Sequence, residues 1–174
     1  ADRADVIEAP QSGANVLALA GMEAGGALAV THTSGAATLW RWAPDARQWR
    51  ALHTWPLEME LALAALDVTS EGVLVTVGRR GWRVDLDGEA ATSVIEAEAP
   101  LLRLLRAPRS GAYFALTGEQ HLMRSVAGAA WTSHPLPDGV APVDIAVIPV
   151  SEGAGERLCL LGLGGEIWVR EFVR

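Results

Sequence analysis

Thr38-Leu39-Trp40-Arg41 returns three times along the chain, as Gly81-Trp82-Arg83-Val84, His121-Leu122-Met123-Arg124 and Ile167-Trp168-Val169-Arg170. The Trp or Met markers are spaced by 42, 41 and 45 residues. A period of that length matches a unit of four short strands. Each marker follows an apolar arm: Ala27–Thr31, Val73–Val77, Tyr113–Thr117 and Leu158–Gly162. A Gly sits at or near every connection, among them Gly35, Gly78, Gly118 and Gly164, where tight hairpins require positive φ angles.

Working outward, another apolar stretch precedes each arm: Val16–Ala20, Leu61–Leu66, Leu102–Leu105 and Val143–Ile148. Turn-rich segments such as Ser70-Glu71-Gly72 and Arg109-Ser110-Gly111 join the two. After the marker comes a more polar strand, at Gln48–His53, Thr92–Glu96 and Trp131–His134. Each unit therefore reads as strands a, b, c and d. Leu57–Leu66 and Leu101–Ala107 also suit helices by composition, but Pro56, Pro100 and Pro108 bound them tightly. The fourth unit ends after strand c. Asp5-Val6-Ile7-Glu8-Ala9-Pro10 resembles the strand d of unit two and its exit, Ser93–Pro100, and is expected to supply the missing strand. The expectation is a single all-β domain with units at about 14–54, 59–97, 101–135 and 141–174 plus 4–10.

This organisation resembles the β-propeller superfamily, over essentially the whole chain. The period is that of WD40 repeats, but their Gly-His and Trp-Asp signatures are absent: Trp-Arg stands at Trp40-Arg41 and Trp82-Arg83. Kelch double-glycine and sialidase Asp-box motifs are not evident either. The resemblance implies a propeller of four four-stranded blades, the last closed by the N-terminal strand. A self-closed monomeric ring is the favoured arrangement; the alternatives are a ring completed by two chains, because each chain could lend its end strand to its neighbour, and a fragment of a longer propeller.

Length and composition set the class. The chain has 174 residues, half of them apolar, and a net charge of −7. That is one ordinary domain with enough apolar mass for a core. The 14 basic residues are all Arg, against 21 acids, which argues against a duplex-binding surface. The apolar runs fall far below the roughly 18 residues of a membrane span. One cysteine, Cys159, excludes an internal disulfide and a Cys-cluster zinc site. It fits a reducing compartment such as the cytoplasm. Ala, Arg and Gly in quantity without Lys point to a GC-rich bacterial genome.

Seven tryptophans stand at 40, 42, 49, 55, 82, 131 and 168. Trp40, Trp82 and Trp168 recur at one repeat position and read as packing between blades. Trp42, Trp49, Trp55 and Trp131 do not recur, and Trp and Arg are favoured at binding hot spots. These four, with Arg79 and Arg80 in the b–c turn of unit two, form the expected partner-binding set. Paired arginines hold carboxylates or phosphates.

No catalytic motif emerges. His32, His53, His121 and His134 lack metal-ligand spacing, although His32, His121, Glu119 and Glu166 lie near the same set of turns. Cys159 sits within an apolar arm, where a thiol is inert. Gly162-Leu163-Gly164-Gly165 is followed by no Gly-Lys-Ser/Thr and reads as a hairpin. The expectation is a non-catalytic protein-interaction module, without cofactor or metal, whose acidic body suits a partner with a basic surface. A small-ligand or carbohydrate-binding propeller is the alternative, but the corresponding turns differ from unit to unit. A third reading is an enzyme with one axial site, for which Glu58, Glu60, His32, His121 and Arg79 are the candidate groups.

Overall fold

The computed structural model describes residues 8–57, 63–88, 90–126, 129–134, 136, 138–150 and 155–172. The first sheet holds β1 (Asn15–Gly21), β2 (Ala27–Thr33), β3 (Ala36–Ala43) and β4 (Gln48–Pro56), in that order. The second holds β5 (Ala64–Thr69), β6 (Gly72–Val77), β7 (Arg80–Val84) and β8 (Ala91–Glu96). The third holds β9 (Leu101–Arg106), β10 (Tyr113–Thr117), β11 (Leu122–Ser125) and β12 (Thr132–Ser133). The fourth holds β13 (Pro142–Pro149), β14 (Glu156–Gly162) and β15 (Ile167–Phe172). All neighbours within a sheet are antiparallel.

These are the blades that the repeat demands. Of the segments that also suited helices, 101–107 is strand β9 through Arg106, because Pro100 and Pro108 leave too few residues for a helix. Residues 58–62 of the other lie outside the described residues, and Ala64–Leu66 belong to β5. In unit two, the described strand a is Ala64–Thr69, and residues 61 and 62 of the expected strand lie outside the described residues. The hairpins explain the glycines. Thr33 pairs with Ala36 across Ser34-Gly35, where Gly35 has φ +84°. Gly72 has φ +133°, and a Cβ there would stand 2.5 Å from the Val84 carbonyl oxygen. Only glycine fits that approach without strain.

The expected closing strand at 4–10 falls largely on residues 1–7, outside the described residues. Its described part, Glu8–Pro10, is not strand, and the Glu8 carbonyl accepts the Trp49 Nε1–H at 2.8 Å, beside β4 of the first blade. Among the described residues the fourth blade carries three strands.

The blades stack through their faces. Leu28, Val30, Leu39 and Trp55 of blade one bury with Val73, Val75 and Val84 of blade two. Leu74 and Ile95 of blade two bury with Leu101, Leu104 and Ala115 of blade three. Phe114, Leu116 and Leu122 of blade three bury with Ile145, Leu158 and Leu160 of blade four. A middle blade is thus apolar on both faces, which is why β6 reads as an unbroken Val-Leu-Val run rather than an alternating one. The innermost strands follow suit: β1 packs on β5, β5 on β9 and β9 on β13.

Candidate functional site

Residues paired across neighbouring strands share a sheet face, so the register assigns every marker. Trp82 pairs with Val75, which faces blade one, and its ring lies 4.7 Å from that of Trp55. Met123 pairs with Ala115, which faces blade two. Trp168 pairs with Leu160, which faces blade three. The marker always points to the preceding blade. Trp40 obeys the same rule: it pairs with Ala29, opposite the face that buries Leu28 and Val30 against blade two. Its indole N–H donates to Thr31 Oγ1 at 2.8 Å.

The face around Trp40 is open. Leu19 pairs with Ala29 and is 69% exposed, and Val16 pairs with Thr31 and is 50% exposed. Trp42 alternates with Trp40 and therefore shares this face. It pairs with Trp49 across β3 and β4, ring centroids 5.5 Å apart, both half-buried. At the other end of the row, blade four buries Leu158 and Leu160 but leaves its opposite face open. There lie Ile167 at 71%, Val169 at 57%, Ile148 at 51% and Leu161 at 40% exposure, with Cys159 among them. Among the described residues, none of the three buried clusters joins blade four to blade one.

The other expected partner-binding residues lie elsewhere. Trp55 is not at a surface: it is 5% exposed and packs between blades one and two, against Trp82 and His53. The alternation that puts Trp55 on the same face as Ala37 forces this burial. Trp131 is half-buried and ties blade three to blade two by donating its Nε1–H to the Val94 carbonyl at 2.9 Å. Arg79 is exposed in the β6–β7 turn, and Arg80 opens β7 and pairs with Glu96 at 3.0 Å. Cys159 is partly exposed rather than buried, because the face it occupies has no covering blade.

Of the axial candidates, Glu58 and Glu60 lie outside the described residues. His121, Glu119 and Arg79 are exposed, and His32 is half-buried at the end of β2. Among the described residues no group of three or more His, Cys, Asp and Glu could hold a metal ion. No helix among them is long and apolar enough to cross a membrane.

One constellation was not singled out from the sequence. The inner strands β5, β9 and β13 carry Asp67, Arg103 and Asp144, which line a cleft of about 370 Å³. Arg103 grips Asp144 with two hydrogen bonds, of 2.6 and 3.1 Å. Burial pushes the Asp144 carboxyl up, but the Arg103 hydrogen bond and the Ile145 N–H outweigh it and leave it below the usual carboxylate range. Burial raises Asp67, and the charge of Arg103 only partly offsets that. A second cleft, of about 590 Å³, opens between the a–b turns of blades two and three. Arg106 there pairs with Glu71 at 2.6 Å, a hydrogen bond that holds the Glu71 carboxyl low. Beside it, the Glu156 carboxylate accepts the backbone N–H groups of Arg109 and Ser110, at 2.6 and 3.1 Å. The signal in the sequence was an ionisable residue on strand a of three successive units. Chemically these groups satisfy one another: Arg103 and Arg106 already hold carboxylates, so the row binds blades together.

No protein-family profile matches this chain, and no curated protein matches it. Solved structures do. The extracellular domain of the putative one component system BT4673 from B. thetaiotaomicron superposes with a TM-score of 0.67 at 10% identity, covering 91% of this chain and 22% of that one. The C-terminal WD40 domain of Sif2 gives 0.62 at 14% identity, covering 91% and 46%. Catalytically inactive virginiamycin B lyase from Staphylococcus aureus, with quinupristin, gives 0.59 at 14% identity, covering 95% and 58%. The chain spans just over half the length of the lyase and under half of the WD40 domain. By fold, this chain is a row of β-propeller blades.

Proposed function

We propose that the chain is a non-catalytic protein-interaction module that docks through exposed apolar residues on its first and fourth blades. One observation carries the reading. Among the described residues, the apolar faces that blades two and three bury are open on blades one and four, with Leu19, Ile167 and Val169 more than half exposed. Exposed apolar patches of this kind mark association sites. Trp42 and Trp49 extend the first of these faces, and Trp is enriched at binding hot spots. The WD40 neighbour supports the reading by analogy of fold alone, and the lyase neighbour shows that the same architecture also hosts an enzyme.

The test is binding of an apolar fluorescent dye, with hydrogen exchange, at low protein concentration. Dye bound by the folded protein, and strongly reduced in Leu19→Glu and in Ile167→Glu, is the expected result. Absence of dye binding, with β1 and β15 slow to exchange in isolated chains, would contradict it, since both faces would then be covered from within.

A further inference from the structure

We infer that the cleft lined by the inner strands of blades two, three and four binds a cationic nitrogen group, an ammonium or a guanidinium, with Asp67 as its counter-ion. The inference is independent of the docking reading above, because it uses neither blade one nor the exposed apolar residues of blade four.

Asp67 stands on β5 where two clefts meet. It lines the cleft of about 370 Å³ together with Arg103 and Asp144, and the cleft of about 590 Å³ together with Glu71 and Arg109. Arg106 lines both as well. Each volume falls in the range of small-molecule sites, about 300–1,000 Å³.

The charges around Asp67 pair off and leave it over. Arg103 donates from Nε and one terminal nitrogen to the two oxygens of Asp144, at 2.6 and 3.1 Å. Arg106 is held by Glu71 at 2.6 Å, with Arg83 at 3.7 Å from the same carboxylate. Arg109 directs Nη1 to the Val150 carbonyl at 2.8 Å and lends its charge to Glu156. Among the described residues no ion pair includes Asp67.

That carboxyl is half-buried, and burial without a paired cation works against the fold at neutral pH. A charge that weakens the fold where Asn would not is expected at a binding site rather than in a scaffold. A bound cation supplies the absent partner. An anion would meet the unpaired carboxylate and find Arg103 and Arg106 already engaged. The larger cleft adds the exposed Ser70 hydroxyl and the Val68 side chain, 39% exposed, along which the carbon stem of the ligand can lie. A free small amine and a Lys or Arg side chain of a partner protein bring the same chemistry.

The experiment follows backbone amide shifts by NMR as butylguanidinium or butylammonium is added at constant ionic strength, with butyrate and butyramide as controls. Saturable shifts centred on Asp67, Arg103 and Arg106, given by the cations and by neither control, are the expected result. Asp67→Asn should weaken binding about tenfold, the loss of one charge-assisted hydrogen bond. That variant should melt no lower than wild type, so the loss is not one of folding. Glu96→Gln, which alters an outer-strand acid paired with Arg80, should leave binding unchanged. Binding should also fade as acid protonates Asp67, because Arg103 and Arg106 keep their charge, while Glu71 and Asp144, both held low, stay ionised longer. A capped Gly-Arg-Gly peptide that binds more tightly than butylguanidinium would assign the cation to a partner's side chain, and one that binds no more tightly would assign it to a free small amine. Shifts that never saturate, that centre away from Asp67, that butyrate or butyramide reproduce, or that keep full strength in Asp67→Asn would overturn the site.

Discussion

Replacing Glu156 by Ala should loosen the fourth blade from the third. The side chain opens β14 at 1% exposure, and its carboxylate holds the Arg109 and Ser110 N–H groups of the neighbouring blade's a–b turn. A hydrogen bond to a charged partner contributes about 1.5–3 kcal/mol. The turn reaches the surface, so water recovers part of both donors in the variant, and the expected loss is about 3 kcal/mol overall. For a domain of this size that is a fall in Tm of about 6–12 °C. Burial alone would raise this carboxyl, but hydrogen bonds from Ser110 and Arg109 and the Arg109 charge leave it below its ordinary value. A carboxyl lowered by folding adds stability above its unfolded pKa, and that stability is lost as pH falls through the folded value. The gap between wild type and Glu156→Ala should therefore be full at pH 7 and shrink as pH falls below the ordinary carboxylate range. Urea unfolding followed by tryptophan fluorescence reads it. A loss under about 0.5 kcal/mol, the range of an ordinary surface change, would refute the role given to Glu156. A gap unchanged between pH 7 and pH 3 would refute it equally.

The tryptophans should separate cleanly in the same assay: Trp55→Ala is expected to cost about 3–5 kcal/mol as a core truncation, and Trp42→Ala under about 1 kcal/mol. The two inner-strand carboxylates should respond with opposite signs. Asp67 is raised by burial, so its ionisation works against the fold between the unfolded and folded values, and Asp67→Asn should stabilise the protein at neutral pH. Asp144 is lowered, so Asp144→Asn should destabilise it at neutral pH; the pair with Arg103 is more than a third exposed, which limits the loss to about 1 kcal/mol. Thermal melts of both variants at pH 7 decide the signs.

The blades were legible because their signals are local. An apolar arm, a hairpin glycine and a marker four or five residues after it are set by short-range geometry, and Gly35, Gly72 and Gly78 all fall where the turns need positive φ. The relation between blades was less legible. Trp55 and Trp42 look alike in sequence, yet one is buried and the other borders an open face. That difference depends on which strand face meets a neighbour, and the bulge between Leu39 and Trp40 shifts the β4 register. The Asp67–Arg103–Asp144 row was missed for a related reason. Its members lie 36 and 41 residues apart and meet only when three inner strands are brought side by side. The state of Cys159 followed the same logic: its apolar neighbours predicted burial, but an apolar arm is buried on both faces only when a blade lies on each side.

The most direct test of the account is the rate at which Cys159 reacts with a soluble thiol reagent as protein concentration varies. The account requires fast labelling at low protein concentration, because the face of blade four that carries Cys159 is open in the chain itself. Labelling that is slow at every concentration would contradict it, since the face would then be covered within a single chain.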